Sequence, residues 1–231
     1  MLEKLKLEVW RANMLLRDLG LVINTWGNVS GRDPATGLIV IKPSGVEYGS
    51  LKPGDLPVLT ADGEVVEGGL RPSSDTPTHL EIYREFPGIN GIAHTHSVYA
   101  TVYAQALRDI PPLGTTHADY FPGPVPVTRR LTSEEIAGEY ELNTGRVIAE
   151  KLKEHAQRPL RAVLVASHGP FTFGCDAAEA VDVSYVLEKI AEMAWRTELL
   201  AAVPSPAGEM QPELLSRHYD RKHGKNAYYG Q

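Results

Sequence analysis

The chain has 231 residues, 42% of them hydrophobic, and a formal net charge of −6. This length supports a full hydrophobic core, and no composition shift is long enough to be a linker, so we predict a single domain over residues 1–231. Charges of both signs are interspersed without a basic stripe, which argues against nucleic acid and membrane partners.

Cys175 is the only cysteine, which excludes an intrachain disulfide. No apolar run reaches the roughly 20 residues of a membrane span. The opening residues lack the apolar core of a signal peptide, so a cytoplasmic location is expected.

The first part of the chain contains one helical pattern and several strand patterns. Apolar residues recur at helical spacing over 2–19, and Gly20 follows as a stop. We predict a strand over 21–24 that leads into a Gly/Asn/Ser loop over 25–31. Residues 38–41 form a continuous apolar run typical of a buried strand. Residues 57–60 and 64–67 alternate around a turn and predict a hairpin.

The middle of the chain alternates between helices and a short strand. Asp75 or Thr76 can cap a helix whose first turn contains Pro77, and this helix should end near residue 86. A strand over 91–96 follows, and Ser97 begins another helix. Residues 109–130 are rich in proline and glycine, and a connection of this length is often functional.

The last third is mostly helical. A capping box at 132–135 predicts a helix that extends towards His155, although Gly138 and Gly145 weaken it. Residues 162–166 indicate a second buried strand, Asp176 caps a long helix to about 202, and 213–222 form a short helix. The elements mix without a regular βαβ rhythm. We therefore predict an α/β fold of three α/β/α layers, with a central and largely antiparallel sheet flanked by helices.

Histidines close two of the apolar runs. In a strand, His94 and His96 would share one face, and two imidazoles at this spacing can hold one metal ion. His168 ends the 162–166 run, and two adjacent strands would bring all three rings to one end of the sheet. Three histidines with an open fourth position are typical of catalytic zinc, and Asp75 could add a carboxylate. Each residue also has an ordinary interpretation as a turn, cap or strand-end residue. We assign His79, His155 and His223 to surface or helical positions.

Seven motifs, in order and over essentially the whole chain, resemble the class II aldolase/epimerase (fuculose-phosphate aldolase-like) family. They are Thr25-Trp-Gly-Asn28-Val-Ser30, Ile41-Lys-Pro-Ser44-Gly45-Val46, Pro72-Ser-Ser-Asp75-Thr-Pro-Thr-His79, His94-Thr-His96-Ser97, Gly114-Thr-Thr-His-Ala-Asp119-Tyr120, Ser167-His168-Gly169-Pro170-Phe171 and Ala227-Tyr-Tyr229-Gly-Gln231. The resemblance implies the family's fold and a homotetramer with C4 symmetry, whose active sites lie between neighbouring subunits.

The resemblance also implies roles for individual residues. The Zn²⁺ ligands would be His94, His96 and His168, with Asp75 completing the shell when substrate is absent. Asp119 and Tyr229 would be the acid/base pair, and Tyr229 would come from the adjacent subunit. The substrate, a small sugar phosphate, would be bound by Gly27, Asn28, Ser44, Gly45, Ser73 and Ser74. Lys42, beside Ser44, could add a positive charge for the phosphate. Without the resemblance, the serine pairs are ordinary turn residues and the tail that contains Tyr229 is a frayed end.

The activity implied by the resemblance is zinc-dependent inversion of C4 in L-ribulose 5-phosphate, which gives D-xylulose 5-phosphate by retro-aldol cleavage and re-addition. The family's aldolases carry a glutamate where this chain has Asp75, which favours epimerisation. A lyase that cleaves a related ketose phosphate is the main alternative. A non-catalytic scaffold disagrees with the retained histidines. A zinc hydrolase is weaker still, because the chain has no H-E-x-x-H helix.

Overall fold

A computed structural model describes residues 2–201, 208, 210–225 and 227. Its helices are α1 (Glu3–Asp18), α2 (Thr76–Glu85), α3 (Val98–Ala106), α4 (Thr115–Ala118), α5 (Ser133–Ala137), α6 (Tyr140–Glu154), α7 (Ala177–Ala201) and α8 (Pro212–His223), with a short 3-10 helix at Pro53–Asp55. Its strands are β1 (Asn28–Arg32), β2 (Ile39–Ile41), β3 (Val58–Leu59), β4 (Val65–Glu67), β5 (Gly91–His94), β6 (Ala162–Val165) and β7 (Gly169–Gly174).

The strands form one seven-stranded sheet in the order β4-β3-β2-β1-β5-β7-β6. Every neighbouring pair is antiparallel, as the sequence predicted. Across the middle of the sheet, His94 in β5 is the partner of Asn28 in β1 and of Phe171 in β7. Because residues directly opposite one another share a face, these three side chains form one row at one end of the sheet.

Helices cover both faces of the sheet and give the predicted three layers. Alternate residues of the strands point to opposite faces, so Val40 and Ala93 pack beneath α1 and α7, whereas Ile39 and Ile92 pack beneath α2 and α6. A third cluster joins α3, α7 and β6. The row that contains His94 lies on the α2/α6 face, since Phe171 belongs to the cluster beneath those helices.

The predicted strand over 21–24 is wrong, because the strand is Asn28–Arg32, which the sequence assigned to a loop. This strand is central and packs directly against α1. A Cβ at Gly31 would lie 2.8 Å from Val9 Cγ2, so only a glycine allows the close approach. Ser30 is fully buried and satisfies its hydroxyl through side chains. The polar and small residues that suggested a loop are therefore the ones that this packing requires.

Three other elements differ from prediction. The single helix over 132–155 is divided at Gly138 into α5 and α6. The connection 109–130 contains the short helix α4. Strand β7 was not predicted, and it lies between β5 and β6, so the two histidine-bearing strands are not adjacent.

Among the described residues, none of the helices has both the length and the hydropathy that crossing a membrane requires.

Candidate metal and substrate site

Three histidines meet at one edge of the sheet. His94 is the last residue of β5, His96 lies in the connection from β5 to α3, and His168 lies in the turn from β6 to β7. The prediction that His94 and His96 share a strand face is wrong in this detail, because β5 ends at His94. One ring nitrogen from each histidine lies within 4.8 Å of the others. The structure therefore brings together the three predicted histidine ligands.

The β6–β7 turn carries His168 to this edge. Ser167 adopts a positive φ of 61°, an uncommon conformation for a residue other than glycine. The next glycine, Gly169, approaches β5 so closely that a Cβ there would lie 2.7 Å from the Thr95 carbonyl oxygen. The sharp turn and the missing side chain let His168 stand beside His94, with ring centroids 4.7 Å apart.

The Nε2 atoms of His94 and His96 converge. His94 Nδ1 lies 3.0 Å from the Pro170 carbonyl, which only accepts, so Nδ1 carries the proton and Nε2 offers a lone pair. His94 Nε2 and His96 Nε2 are 3.1 Å apart. Two nitrogens on one tetrahedral zinc, each at about 2.0–2.1 Å, would be about 3.3 Å apart. The pair therefore fits a shared metal ion.

Burial keeps these imidazoles neutral, which is the form that binds a metal. Burial, together with the neighbouring His94 and His96, lowers the pKa of His168 to about 3. Burial also lowers the pKa of His94 and of His96. The stacked ring of Phe171, 4.1 Å from His94 between centroids, supplies part of this apolar environment. At pH 7 the cluster therefore offers lone pairs without first losing protons.

Asp75 stands beside the histidines but is not part of their close cluster. It holds the N-cap position of α2, yet its side chain does not cap the helix. Its Oδ2 instead accepts a 2.7 Å hydrogen bond from Asn28 Nδ2, which also donates to Ser73 Oγ at 3.1 Å. Burial acts to raise the pKa of Asp75, yet this pKa is lowered, and the hydrogen bond from the Asn28 amide is one of the causes. A carboxylate with one oxygen fixed in this way can turn the other towards a cation.

The histidines open onto a cavity of about 400 Å³. Its wall contains every residue that was predicted to bind substrate, together with Asp75, His94, His96 and His168. The lining residues predicted for substrate are Gly27, Asn28, Lys42, Ser44, Gly45, Ser73 and Ser74, and the remaining lining residues are Thr25, Trp26 and Pro43. The cavity thus combines a histidine-lined end, which could hold a metal ion, with hydroxyls, backbone amides and one lysine, a set of donors that suits an anionic group.

Lys42 is the one lysine or arginine among the described residues of this wall, and it is only 2% exposed. Its Nζ donates to the Thr25 carbonyl at 3.2 Å and lies 4.7 Å from the centre of the Tyr48 ring. Burial lowers the pKa of Lys42 to about 8, although Glu47 opposes the shift. Because burial has already removed most of the water around the Lys42 ammonium group, binding an anion would cost little further desolvation.

Gly27 is needed where the loop before β1 passes the histidine-lined end of the cavity. Its φ is +79°, and an added Cβ would lie 2.9 Å from the His94 carbonyl oxygen. Tyr48 donates its hydroxyl to the Gly27 carbonyl at 2.9 Å. The loop is therefore held between β5 and Tyr48, and it supplies Gly27 and Asn28 to the cavity.

Asp119 is not among the residues that line this cavity. It follows α4, and its carboxylate is held by α8 of the same chain. Arg221 Nη2 lies 2.9 Å from Oδ1 and 2.8 Å from Oδ2, and His218 Nδ1 lies 3.0 Å from Oδ1. Burial acts to raise the pKa of Asp119, but Arg221 and His218 outweigh it and lower the pKa. Tyr229 lies outside the described residues.

Two residues near the site were not predicted. His79, assigned from the sequence to a surface or helical position, is fully buried, and its Nδ1 and the Tyr83 hydroxyl each lie 2.7 Å from Ser30 Oγ. The sequence pattern could have predicted that His79 faces the site, because Asp75, His79 and Tyr83 recur at helical spacing and so share a face of α2. Tyr140, at the start of α6, places its hydroxyl 3.5 Å from His168 Nδ1, and only the tertiary structure reveals this proximity.

The fold and this histidine site define a class of protein. Residues 7–195 match the model of the class II aldolase and adducin N-terminal domain, and the chain belongs to that family.

The chain is 52% identical over 230 residues to an L-ribulose-5-phosphate 4-epimerase, UlaF of Salmonella paratyphi C (strain RKS4594), and the match covers 100% of both chains. The same identity and coverage hold for UlaF of Salmonella choleraesuis (strain SC-B67). Among solved structures, an L-fuculose 1-phosphate aldolase superposes with a TM-score of 0.79 at 25% identity, over 94% of this chain and 95% of that chain.

Proposed function

We propose that this protein is a zinc-dependent epimerase that interconverts L-ribulose 5-phosphate and D-xylulose 5-phosphate by inverting C4. The observation that carries the proposal is the 52% identity over full length to enzymes named for this activity. The three converging histidines and the cavity beside them support it, because both are needed for the chemistry.

The substrate itself explains why a metal is required. Its carbonyl is at C2, so the C3 proton is acidic and the C4 proton is not, and simple deprotonation cannot invert C4. Breaking the C3–C4 bond can, provided that the negative charge left on C3 is stabilised. A divalent cation held by His94, His96 and His168, with Asp75 as a further ligand before substrate enters, would supply that stabilisation as a Lewis acid.

We propose that the remaining cavity residues hold the phosphate. The Ser44-Gly45 and Ser73-Ser74 segments offer hydroxyls and backbone amides, and Lys42 adds a positive charge. Asn28 has its amide nitrogen committed to Asp75 and Ser73, so its main task would be to orient that carboxylate. Gly27 would let the backbone approach the sugar closely.

Two proton-handling groups are also needed, one on each side of C4, because its oxygen loses a proton on one face and gains one on the other. We propose Asp119 and Tyr229. The lowered pKa of Asp119 keeps it ionised at neutral pH, so it could accept a proton, and the Tyr229 hydroxyl could donate one.

Among the described residues that line the cavity, Asp75 is the only acidic one, and Asp119 of the same chain is not among them. This supports a site that is shared between subunits, and we propose that a neighbour supplies Tyr229. We propose a homotetramer with C4 symmetry, built from a single domain over residues 1–231. We also propose a cytoplasmic location.

The decisive experiment is a coupled assay that follows D-xylulose 5-phosphate formation from L-ribulose 5-phosphate. The metal-free protein should be inactive and zinc should restore activity, and His96→Asn should abolish turnover and weaken zinc retention. Asn143→Ala, a buried substitution outside the cavity, should remain active. Full activity in a metal-free sample would contradict the Lewis-acid account.

Subunit mixing tests the shared site. Tyr229→Phe should lose most epimerase activity while keeping its bound zinc and its oligomeric state. When subunits that carry Tyr229→Phe are mixed with subunits that carry His96→Asn, some mixed sites should receive an intact set of residues. Recovery of activity on mixing would support sharing, and its absence in proven mixed oligomers would contradict it.

A class II aldolase that acts on a related ketose phosphate is the second candidate, supported by the structural similarity to L-fuculose 1-phosphate aldolase. The same cleavage would occur, but the aldehyde fragment would leave instead of re-adding. Net release of free aldehyde as the main product in the coupled assay would favour this alternative.

A further inference from the structure

Helix α3 begins immediately after the metal-binding segment, and a residue from a different helix holds its first turn. The backbone N–H groups of Tyr99 and Ala100 donate to the two carboxylate oxygens of Glu188, in α7, at 2.9 and 3.0 Å. Ser97 occupies the N-cap position, yet its side chain makes no capping hydrogen bond. Glu188 therefore performs the capping role that a serine usually performs from within the chain.

Burial makes this carboxylate unusual. Glu188 is only 7% exposed, and it forms no ion pair with any residue of the described ranges. A buried charge is costly unless it is hydrogen-bonded, and the first turn of α3 offers two N–H groups and the positive end of the helix dipole. The first turn of α3 thus stabilises the Glu188 carboxylate, and the carboxylate holds that turn in place.

The position of α3 bears on two of the three histidines. His96 lies in the short connection between the end of β5 and the start of α3, so both of its flanks must be fixed for its ring to be fixed. At its other end, α3 accepts a 2.9 Å hydrogen bond at the Ala104 carbonyl from the backbone N–H of Ser167, next to His168. Glu188 holds the end nearer to His96.

We propose that Glu188 is a positioning residue for the metal site, which sets the His96 ring by anchoring the start of α3. This inference rests on the proposed function, because it takes His96 to be a metal ligand. Glu188 neither lines the cavity nor belongs to the cluster of histidine nitrogens. Its effect on the metal would pass through the α3 backbone, to which it is hydrogen-bonded.

The test uses Glu188→Gln, which keeps the shape of the side chain. Its amide oxygen can still accept from one of the two backbone N–H groups. Its amide N–H₂ then faces the second backbone N–H, so that two donors oppose each other. Glu188→Asp is the second variant, because it keeps the charge but is too short to reach both amides. Glu179→Gln is the matched control. Glu179 lies on the same helix and accepts from the Cys175 backbone N–H at 2.6 Å, away from the site.

Two measurements are made on the full chain. In the metal-free protein, hydrogen exchange at Tyr99 and Ala100 should be about tenfold faster in the Glu188 variants than in the wild type or in Glu179→Gln. By competition with a chromogenic chelator, the zinc dissociation constant should rise about tenfold, at the lower end of the range for residues that orient metal ligands. Glu188→Asp should lie between wild type and Glu188→Gln in both.

The decisive comparison repeats the zinc titration in a His96→Asn background. If Glu188 acts through His96, Glu188→Gln should have no further effect on zinc affinity there. An equal tenfold loss in that background would overturn the inference, as would faster exchange without any loss of zinc affinity. If the wild type and His96→Asn bind zinc equally poorly, the proposed metal site fails together with the inference. If His96→Asn weakens zinc binding but Glu188→Gln does not, the inference fails and the proposed function stands.

Discussion

Asn28 offers the sharpest prediction about the metal site, because one amide group holds Asp75 in place. Asn28 is 2% exposed, and its Nδ2 donates to Asp75 Oδ2 at 2.7 Å and to Ser73 Oγ at 3.1 Å. In Asn28→Ala both bonds are lost, and the Asp75 carboxylate can rotate away from the cavity. Asn28→Leu removes the same donors while keeping a branched side chain of similar size, which separates the hydrogen bonds from the packing.

A hydrogen bond to a charged group contributes roughly 1.5–3 kcal/mol, and a neutral one about 1 kcal/mol. Only the bond to Asp75 bears directly on the metal. We therefore expect the zinc dissociation constant to rise about 10- to 100-fold in both variants, which corresponds to about 1.4–2.7 kcal/mol and agrees with the usual cost of losing a partner of a metal ligand.

The assay is competition between the metal-free protein and a chromogenic chelator for zinc at pH 7. Asn143→Ala is the matched control, since Asn143 is 8% exposed and its Nδ2 donates to the Glu135 carbonyl at 3.0 Å. It should lose thermal stability without a change in zinc affinity. Wild-type zinc affinity in both Asn28 variants would refute the claim that this amide orients Asp75 towards the metal.

Three further predictions concern the proposed phosphate end, the β6–β7 turn and the proposed proton-handling residue Asp119. Burial lowers the pKa of Lys42 to about 8, so its charge is present below that pH and lost above it; KM should rise above about pH 8 in the wild type, and Lys42→Met should show a higher KM at pH 7 and no such rise. Gly169→Ala places a Cβ 2.7 Å from the Thr95 carbonyl oxygen, so it should destabilise the fold by about 1–3 kcal/mol and weaken zinc binding. Thermal unfolding and chelator titrations measure these two effects. Gly123→Ala, whose Cβ would have nothing within 4 Å, should show neither. Arg221 helps to lower the pKa of Asp119, so Arg221→Met should raise that pKa and move the acid limb of the kcat–pH profile to higher pH; an unmoved limb would argue against Asp119 as the base.

Prediction from the sequence succeeded where the relevant information was local. The apolar spacing of residues 2–19 gave α1, Pro77 in the first turn marked the start of α2, and Asp176 caps α7 through a 2.8 Å bond from the Glu179 N–H. The predicted cap by the Asp75 side chain is absent. The three successes depend on backbone geometry, hydrogen bonds and burial within a few residues, so the sequence pattern contains what is needed.

Prediction failed where distant segments imposed the local structure. Strand β1 contains serine and glycine because α1 packs closely on it and because His79 and Tyr83 satisfy Ser30, and none of these partners is near it in sequence. The same reason explains why β7 was missed. A Ser-His-Gly-Pro segment predicts a turn correctly, but it does not show that the chain returns as a strand beside β5.

For the site, the sequence alone determined which chemical groups are available. Three histidines, three serines, one lysine and Asp75 lie in motifs that resemble one family, and every one of these residues reaches the same cavity. The tertiary structure alone decided how they act. It placed His96 off the strand, fixed Asp75 through Asn28, put Asp119 beside Arg221 and buried Glu188 beneath α3. The physical reason is that residue types follow from the chain, whereas the distances between their atoms are set by strand pairing and helix packing between segments far apart in sequence.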